Sequence, residues 1–359
     1  MSNPAESVER VARSGGASST PTPEAQGPDT NAQREPDRHR TLKGRTVSFL
    51  ESYAMLLILV LIALFFAFWP ETSSTFPTAA NLRILLASQA VIGVISLGML
   101  LPLLGQEFDL SVGNNAALSA ILVADFVSGG GNVLLAVALA VLIGAGVGGV
   151  NALIVTRLHV NGVIATLGTM TILAGVILQQ TGGLAPSSDI PASMTSFGTG
   201  LVAGIPAIFI TLLVIAAITY FVLSHTSVGR QIYAVGSNLE AARLVGLRTD
   251  RLKAAMFVAG GLLCGVGGFL YLSRAGGASP NVGATFLLPA FAAAFLSAAA
   301  VRPGRFNVWG TIIAVYFLAV LNNGLSLAGV DPYVTDWVNG FALISGVALA
   351  TALYRRRTT

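Results

Sequence analysis

Hydrophobic and polar positions along this chain are arranged in long apolar blocks separated by short polar connections. Ten blocks cross the length of a bilayer or nearly so: 49–69, 82–101, 112–127, 133–155, 163–180, 205–223, 254–272, 286–301, 308–328 and 337–353. A straight transmembrane helix needs about 20 apolar residues. The blocks at 112–127 and 286–301 fall short of that, so they predict helices that are tilted, broken or sheltered by neighbours. Because lipid offers no partner for an open backbone, blocks of this kind predict helices. The fold class is therefore an all-α membrane protein, a polytopic bundle of about ten transmembrane helices. Gly144 with Gly148, and Gly261 with Gly265, have the spacing that lets two helix backbones cross closely.

Two polar connections stand out. The longer, 224–253, contains "GSNLEAARLVGL" at 236–247. Ser237 and Glu240 are spaced as a capping box, Leu239, Ala242, Leu244 and Val245 supply an apolar side, and Gly246 can stop a helix in a left-handed conformation. A short capped helix is predicted there, between the sixth and seventh spans. The second connection, "GQEFDLSVGNN" at 105–115, is either a plain turn or the start of a half-helix with Asp109 as N-cap and Ser111 beside it.

Composition agrees with the pattern: 54% of residues are hydrophobic and 10% charged, against about a quarter charged in soluble domains. Residues 1–48 are rich in Ser, Pro, Thr, Ala, Glu and Arg and predict a disordered cytoplasmic tail. The apolar run that follows begins too late and runs too long for a cleaved signal, so it reads as an anchor. The net charge of +4 is explained by where the charges fall rather than by a nucleic-acid partner. With the tail in the cytoplasm and the spans alternating, all but Arg83 and Arg274 of the 20 Lys and Arg lie on the cytoplasmic side. Both termini are then cytoplasmic, residues 49–354 form the membrane domain, and 355–359 are a basic C-terminal tail. Cys264 lies in an apolar run and reads as a small packing residue.

Several chemistries are missing. There is no G-x-x-x-x-G-K-[ST] loop, no G-x-S-x-G elbow, and His39, His159 and His225 are scattered without ligand spacing, so neither enzyme activity, cofactor nor metal is expected. Asp125 is the clearest acid at membrane depth; it either lines a pathway or reaches headgroup water from a span end. Asn114, Asn115, Asn151, Thr166, Asn322 and Asn323 are polar positions in or beside spans. They face a substrate pathway or bond one helix to another.

Four stretches together resemble one family: "FDLSVG" at 108–113, "NALIVTRLHVNGVIATLGTMTILAG" at 151–175, "SVGRQIYAVGSNLEAARLVGL" at 227–247 and "VLNNGLSLAGVDPY" at 320–333. In this order the chain from about 80 to 350 is similar to the membrane-spanning permease subunit of simple-sugar ATP-binding-cassette importers, the ribose, xylose and galactose type. The resemblance implies import of a monosaccharide or similar small polar solute across the bacterial cytoplasmic membrane. It also implies a separate ATPase subunit, an extracytoplasmic sugar-binding protein and a second permease subunit. The segment of Ser237, Glu240, Ala241, Ala242, Arg243, Val245 and Gly246 is similar to the family's ATPase-coupling helix. From the residues alone, a helix resting on lipid headgroups is an equal reading. One departure is "FLLPAFAAAFLSAAAVRPGRFN" at 286–307, where Leu288–Pro289 and Ser297–Ala298–Ala299 replace an acid and glycines, predicting a kink at Pro289. The alternatives are a self-contained secondary transporter or channel, which needs an essential intramembrane charge such as Asp125, and a scaffold that only recruits a soluble protein.

Overall fold

A computed structural model describes residues 38–184 and 189–358, with side chains from Tyr53 to Ala348. Most of the predicted tail lies outside the described residues. The bundle comprises residues 45–359.

A helix stands at each of the ten predicted blocks: α1 (Arg38–Phe68), α2 (Ala79–Leu104), α3 (Val112–Ser128), α4 (Val133–Thr156), α5 (Gly162–Thr181), α7 (Ala207–His225), α10 (Thr249–Ala275), α11 (Val282–Leu296), α12 (Val308–Leu327) and α13 (Pro332–Thr358). Seven of these, α2, α4, α5, α7, α10, α12 and α11 with its 3-10 extension to Ala299, are long and apolar enough to cross a membrane. The chain is a multi-pass membrane protein. Three connecting helices were not in the span pattern: α6 (Ala192–Thr199), α8 (Ser227–Ser237) and α9 (Leu239–Leu244), of which only α9 was expected. A two-stranded antiparallel ribbon, β1 (Leu201–Val202) with β2 (Ile205–Pro206), occupies the predicted start of the sixth span. Pro206 brings that ribbon to an end, and α7 begins one residue later.

Several helix starts are fixed by side chains that accept orphan backbone N–H groups: Thr78 for α2, Asn132 for α4, Asn161 for α5 and Asn307 for α12. Those caps place the polar connections at the ends of apolar runs.

The bundle is organised around α10. A Cβ on Gly261 would stand 2.3 Å from the Gly144 carbonyl oxygen, and one on Gly265 2.1 Å from the Ala140 carbonyl oxygen. The predicted glycine pairs therefore form the crossing of α4 with α10, where backbone meets backbone. On another side of α10, Gly260 meets Gly98 of α2, and on a third, Gly268 meets Ala116 of α3. Cys264 is completely buried at this junction and acts as a small packing residue.

Surrounded in this way, α3 is buried from Val112 through Val127 apart from a few positions. That fits the expectation that a block this short is sheltered by neighbours: the sides of the 17-residue α3 meet protein. By contrast α4 and α7 expose Leu134, Leu142, Ile218 and Phe221 outward. Large apolar side chains facing out along crossing helices are what lipid contact requires. α11 runs unbroken through Pro289, and at its end Ser297–Ala299 tighten into a 3-10 turn.

If the α4–α10 crossing holds the bundle, Gly261→Val should lower the unfolding midpoint in detergent, at a cost of about 1–3 kcal/mol for overpacking. Gly146→Val, at a glycine with nothing within 4 Å, should leave it unchanged. Equal midpoints for the two variants, read by thermal unfolding, would dispose of this account.

Candidate functional site

At the end of the bundle where α2 finishes and α10 begins, α8 and α9 form a compact helical hairpin. Thr226 closes α7 and caps α8, its hydroxyl accepting from the Gly229 N–H at 3.3 Å. α8 is amphipathic: Gly229, Ile232 and Val235 are buried while Arg230 and Ala234 face out. Gly236 lies so close to the end of α2 that a Cβ there would fall 1.9 Å from the Leu104 carbonyl oxygen. Gln106 then donates from Nε2 to the Gly236 carbonyl at 2.6 Å. The hairpin is thus seated on α2, not tethered loosely beyond it.

The expected capped helix exists, but its cap is one residue further on. Ser237 is the last residue of α8 rather than an N-cap. Asn238 performs both jobs: its backbone N–H donates to the Ala234 carbonyl, closing α8, and its side chain accepts from the Ala241 N–H at 2.9 Å, opening α9. Glu240 consequently sits at the second helical position, where it complements the helix N-terminus but completes no capping box. Ser237 looked like a cap because the amphipathic α8 before it had not been recognised. Gly246 adopts φ +82° as predicted, with its N–H donating to Arg243 and that of Leu247 to Ala242.

The expected apolar side also divides. Ala242 is buried against the chain itself, 4% exposed, whereas Leu244 and Val245 are 89% and 76% exposed. Glu240, Ala241, Arg243 and Gly246 share that open surface. Arg243 is tied back to the start of α10, donating to Thr249 and pairing with Asp250 at 3.6 Å.

Beneath the hairpin lies the connection at 105–111. Glu107 pairs with Lys253 of α10, both about one-sixth exposed, and its carboxylate also lies against Gly162 at the N-terminus of α5. Asp109 is not the N-cap of α3. That position belongs to Ser111, and Asp109 Oδ1 instead accepts from the Ser111 N–H at 2.9 Å and hydroxyl at 2.6 Å, closing an Asx turn ahead of the helix. Burial raises the Asp109 carboxyl above its ordinary range, and the hydrogen bonds from Ser111 and Asn151 oppose that shift.

The other polar positions are engaged between helices. Asn151 donates to Ser111 at 2.8 Å and to Asp109 at 3.3 Å. Thr166 joins α5 to the 105–111 connection, donating to the Phe108 carbonyl and accepting from the Leu110 N–H. Asn114 donates to the Met170 carbonyl of α5, and Asn115 reaches the carbonyls of Gly144 and Gly261 at the α4–α10 crossing. Asn323 and Asn81 of α2 each donate a side-chain hydrogen bond to the other's Oδ1, and Asn322 donates to Asn339 of α13. Asp125 is exposed in the last turn of α3 and accepts from Gln180 at 3.0 Å. A stripe that periodicity did not single out lies on α5, where Gly168, Thr171, Gly175 and Gln179 face outward on one side.

At the opposite end, α6 covers the finish of α10, with Gly198 against the Ser273 carbonyl, and Arg83 donates to the Gly204 carbonyl of the strand turn.

A glycine-packed bundle with apolar outward flanks and a hairpin seated on one end is the fold of a polytopic membrane protein. The family described as "Branched-chain amino acid transport system / permease component" matches residues 81–347. The ribose import permease protein RbsC of Escherichia coli (strain K12) is 33% identical over 301 residues, covering 83% of this chain and 92% of its own. RbsC of Bacillus subtilis (strain 168) is 35% identical over 271 residues, covering 75% and 84%. The autoinducer 2 import system permease protein LsrC of Enterobacter sp. (strain 638) is 30% identical over 308 residues, covering 86% and 87%. No solved structure matches the chain. The chain belongs to this permease family and is a transmembrane permease subunit of an ATP-binding-cassette importer.

Two measurements probe the site. In a double-mutant cycle of Glu107→Gln with Lys253→Met, each single change strands a poorly solvated charge, so the pair should couple by roughly 1 kcal/mol or more. Additive losses in thermal unfolding would mean the ion pair contributes nothing. For Asp109, a raised folded value means that stability is fully present below the ordinary 3.8 and is lost as pH climbs through the folded value. Asp109→Asn should abolish that loss, flattening a plot of unfolding midpoint against pH.

Proposed function

We propose that this permease moves a monosaccharide or similar small polar solute inward by alternating access, driven by a separate ATPase that docks on the α8–α9 hairpin. The observation that carries the reading is the pair Leu244 and Val245, large apolar residues almost fully exposed at the tip of a hairpin that is itself rigidly seated on α2 and α10. Exposed apolar residues on a rigid element suit a partner surface. A hairpin locked to α2, α7 and α10 can pass a displacement to several spans at once without melting. ATP hydrolysis then belongs to the partner, and the permease carries out no covalent chemistry.

The solute class rests on the relatives, whose names give ribose and autoinducer 2 as cargo. In this reading the chain makes ten crossings with both termini in the cytoplasm of a bacterium, and the hairpin faces the ATPase. The α6 and strand-turn end faces outward toward a sugar-binding protein. A second permease subunit, identical or related, packs across the pathway. The outward stripe of Gly168, Thr171, Gly175 and Gln179 supports a pathway or subunit boundary at α5, since small and polar residues suit neither bulk lipid nor a sealed core. Asn114, close to that stripe, and the buried Asn115, Asn151 and Thr166 shape its inner wall. Asn322 and Asn323 hold α12 to its neighbours. The carrier or channel alternative leans on Asp125, whose exposed position at a helix end, bonded to Gln180, favours headgroup contact over a midplane ion site.

The test is uptake of labelled ribose into liposomes containing the permease, with and without the cognate ATPase and binding protein. Uptake that depends on ATP and on both partners is expected; uptake with neither would overturn the reading. Leu244→Asp with Val245→Asp should leave the protein inserted and folded, with its unfolding midpoint unchanged, and reduce ATPase association at least about tenfold. Ala242→Asp is a different experiment, because Ala242 is buried and its substitution disrupts the hairpin itself.

A further inference from the structure

Beside the hairpin, on the flank away from Leu244 and Val245, is a 230 Å³ pocket lined by Leu223, Ser224, Arg230, Tyr233, Arg302 and Arg305. Its arginines come from two separate elements, α8 and the connection between α11 and α12. Among the described residues no carboxylate lines it, and neither of the two ion pairs found involves these arginines. Three arginines, each exposed, therefore line one cavity to which the described residues bring no carboxylate.

The connection that carries Arg302 and Arg305 is held in place. Asn307 donates from Nδ2 to the carbonyls of Ser297, Ala300 and Arg305, at 2.9, 2.9 and 3.0 Å, while its Oδ1 caps α12 through the Gly310 N–H. Val301, which lines a smaller adjoining pocket, has φ +62°, a conformation that costs a β-branched residue energy. Tyr233 donates to the Phe306 carbonyl from the α8 side. A fixed loop bearing two arginines, with a third facing it from α8, offers an anion several charge-assisted hydrogen bonds at once.

What lies around the pocket identifies the anion's source. Phe221 and Val222, directly before Leu223 and Ser224 near the end of α7, are 59% and 39% exposed on a helix long and apolar enough to cross a membrane. Tyr220 and Trp309, with ring centroids 6.0 Å apart, line the smaller adjoining pocket. Tyrosine and tryptophan with arginines at the end of a lipid-facing helix mark the depth at which a bilayer carries its phosphates.

We propose that this pocket binds the phosphate of an anionic phospholipid, held by Arg230, Arg302 and Arg305, and that the lipid bridges the hairpin to the α11–α12 connection. The proposal needs only that α7 lies in a bilayer, and so stands apart from the identity of the solute. It gives a role to the segment at 286–307 that departs from the family pattern, since that segment supplies two of the three cations.

Trp309 is a built-in reporter. In a Trp69→Phe, Trp337→Phe background, both at exposed positions, its fluorescence can be followed while the detergent-solubilised protein is titrated with short-chain phosphatidylglycerol. A saturable change is expected, with phosphatidylcholine of equal chain length needing at least about tenfold more. Arg302→Gln with Arg305→Gln should weaken phosphatidylglycerol binding by about tenfold or more, and Arg302→Lys with Arg305→Lys should restore most of it. Arg230→Gln, an exposed single change that spares the clamped loop, should weaken binding by itself. Equal response to both lipids, or binding unaltered in the glutamine variants, would overturn the proposal. Saturation by inorganic phosphate at concentrations below those of the lipid would overturn the lipid source and leave a soluble phosphate as the ligand.

Discussion

Backbone-to-backbone contact at α10 is the constraint from which the rest of this permease follows. In lipid there is no hydrophobic force to press helices together, and interhelical hydrogen bonds average only about 0.6 kcal/mol. Close approach and its dispersion contacts must supply the cohesion, and only glycine or alanine permits it. α10 meets α2 at Gly260, α4 at Gly261 and Gly265, and α3 at Gly268. A helix gripped on three sides is a post, and the elements attached to its two ends inherit that rigidity. α6 is seated over one end through Gly198, and the α8–α9 hairpin leads directly into the other through Arg243, Thr249 and Lys253.

The polar residues within the bundle make sense against that frame. Asn115 donates to carbonyls at the α4–α10 crossing itself, so the contact that brings the helices together also creates the acceptors it uses. Asp109, Ser111, Asn151 and Thr166 knot the connection before α3 to α4 and α5. That knot lies under the hairpin, and Gln106 and Glu107 extend it to Gly236 and Lys253. Movement imposed on α8–α9 therefore reaches α2, α3, α4, α5 and α10 through short, named contacts. A transporter worked from outside needs such a continuous mechanical path, and the pathway helices need not carry charge of their own.

The surface of the hairpin serves two environments. Its tip exposes Leu244 and Val245, and its flank contributes Arg230 and Tyr233 to a cationic cavity beside lipid-facing α7. If the proposed partner and lipid both bind, this one short element is where they meet the bundle.

The apolar blocks by themselves determined that the chain is helical, where ten of its helices lie to within about five residues except at the start of α1, and that glycine pairs mark a crossing, because lipid forces each crossing segment to satisfy its own backbone. The quoted stretches also determined the permease family, since their order and separation are specific even where each is weak. Tertiary structure alone decided the cap and the surface of the hairpin. Asn238 rather than Ser237 caps α9 because α8 continues through Ser237, and α8 earned no recognition as a helix because its mixed polar pattern is short and has meaning only against α2. Ala242 turned inward and Leu244 outward because the hairpin docks by one particular side, which periodicity cannot choose. The gathering of Arg230 with Arg302 and Arg305 was likewise invisible along the chain, for residues about seventy positions apart become neighbours only when the helices between them fold back on the same post.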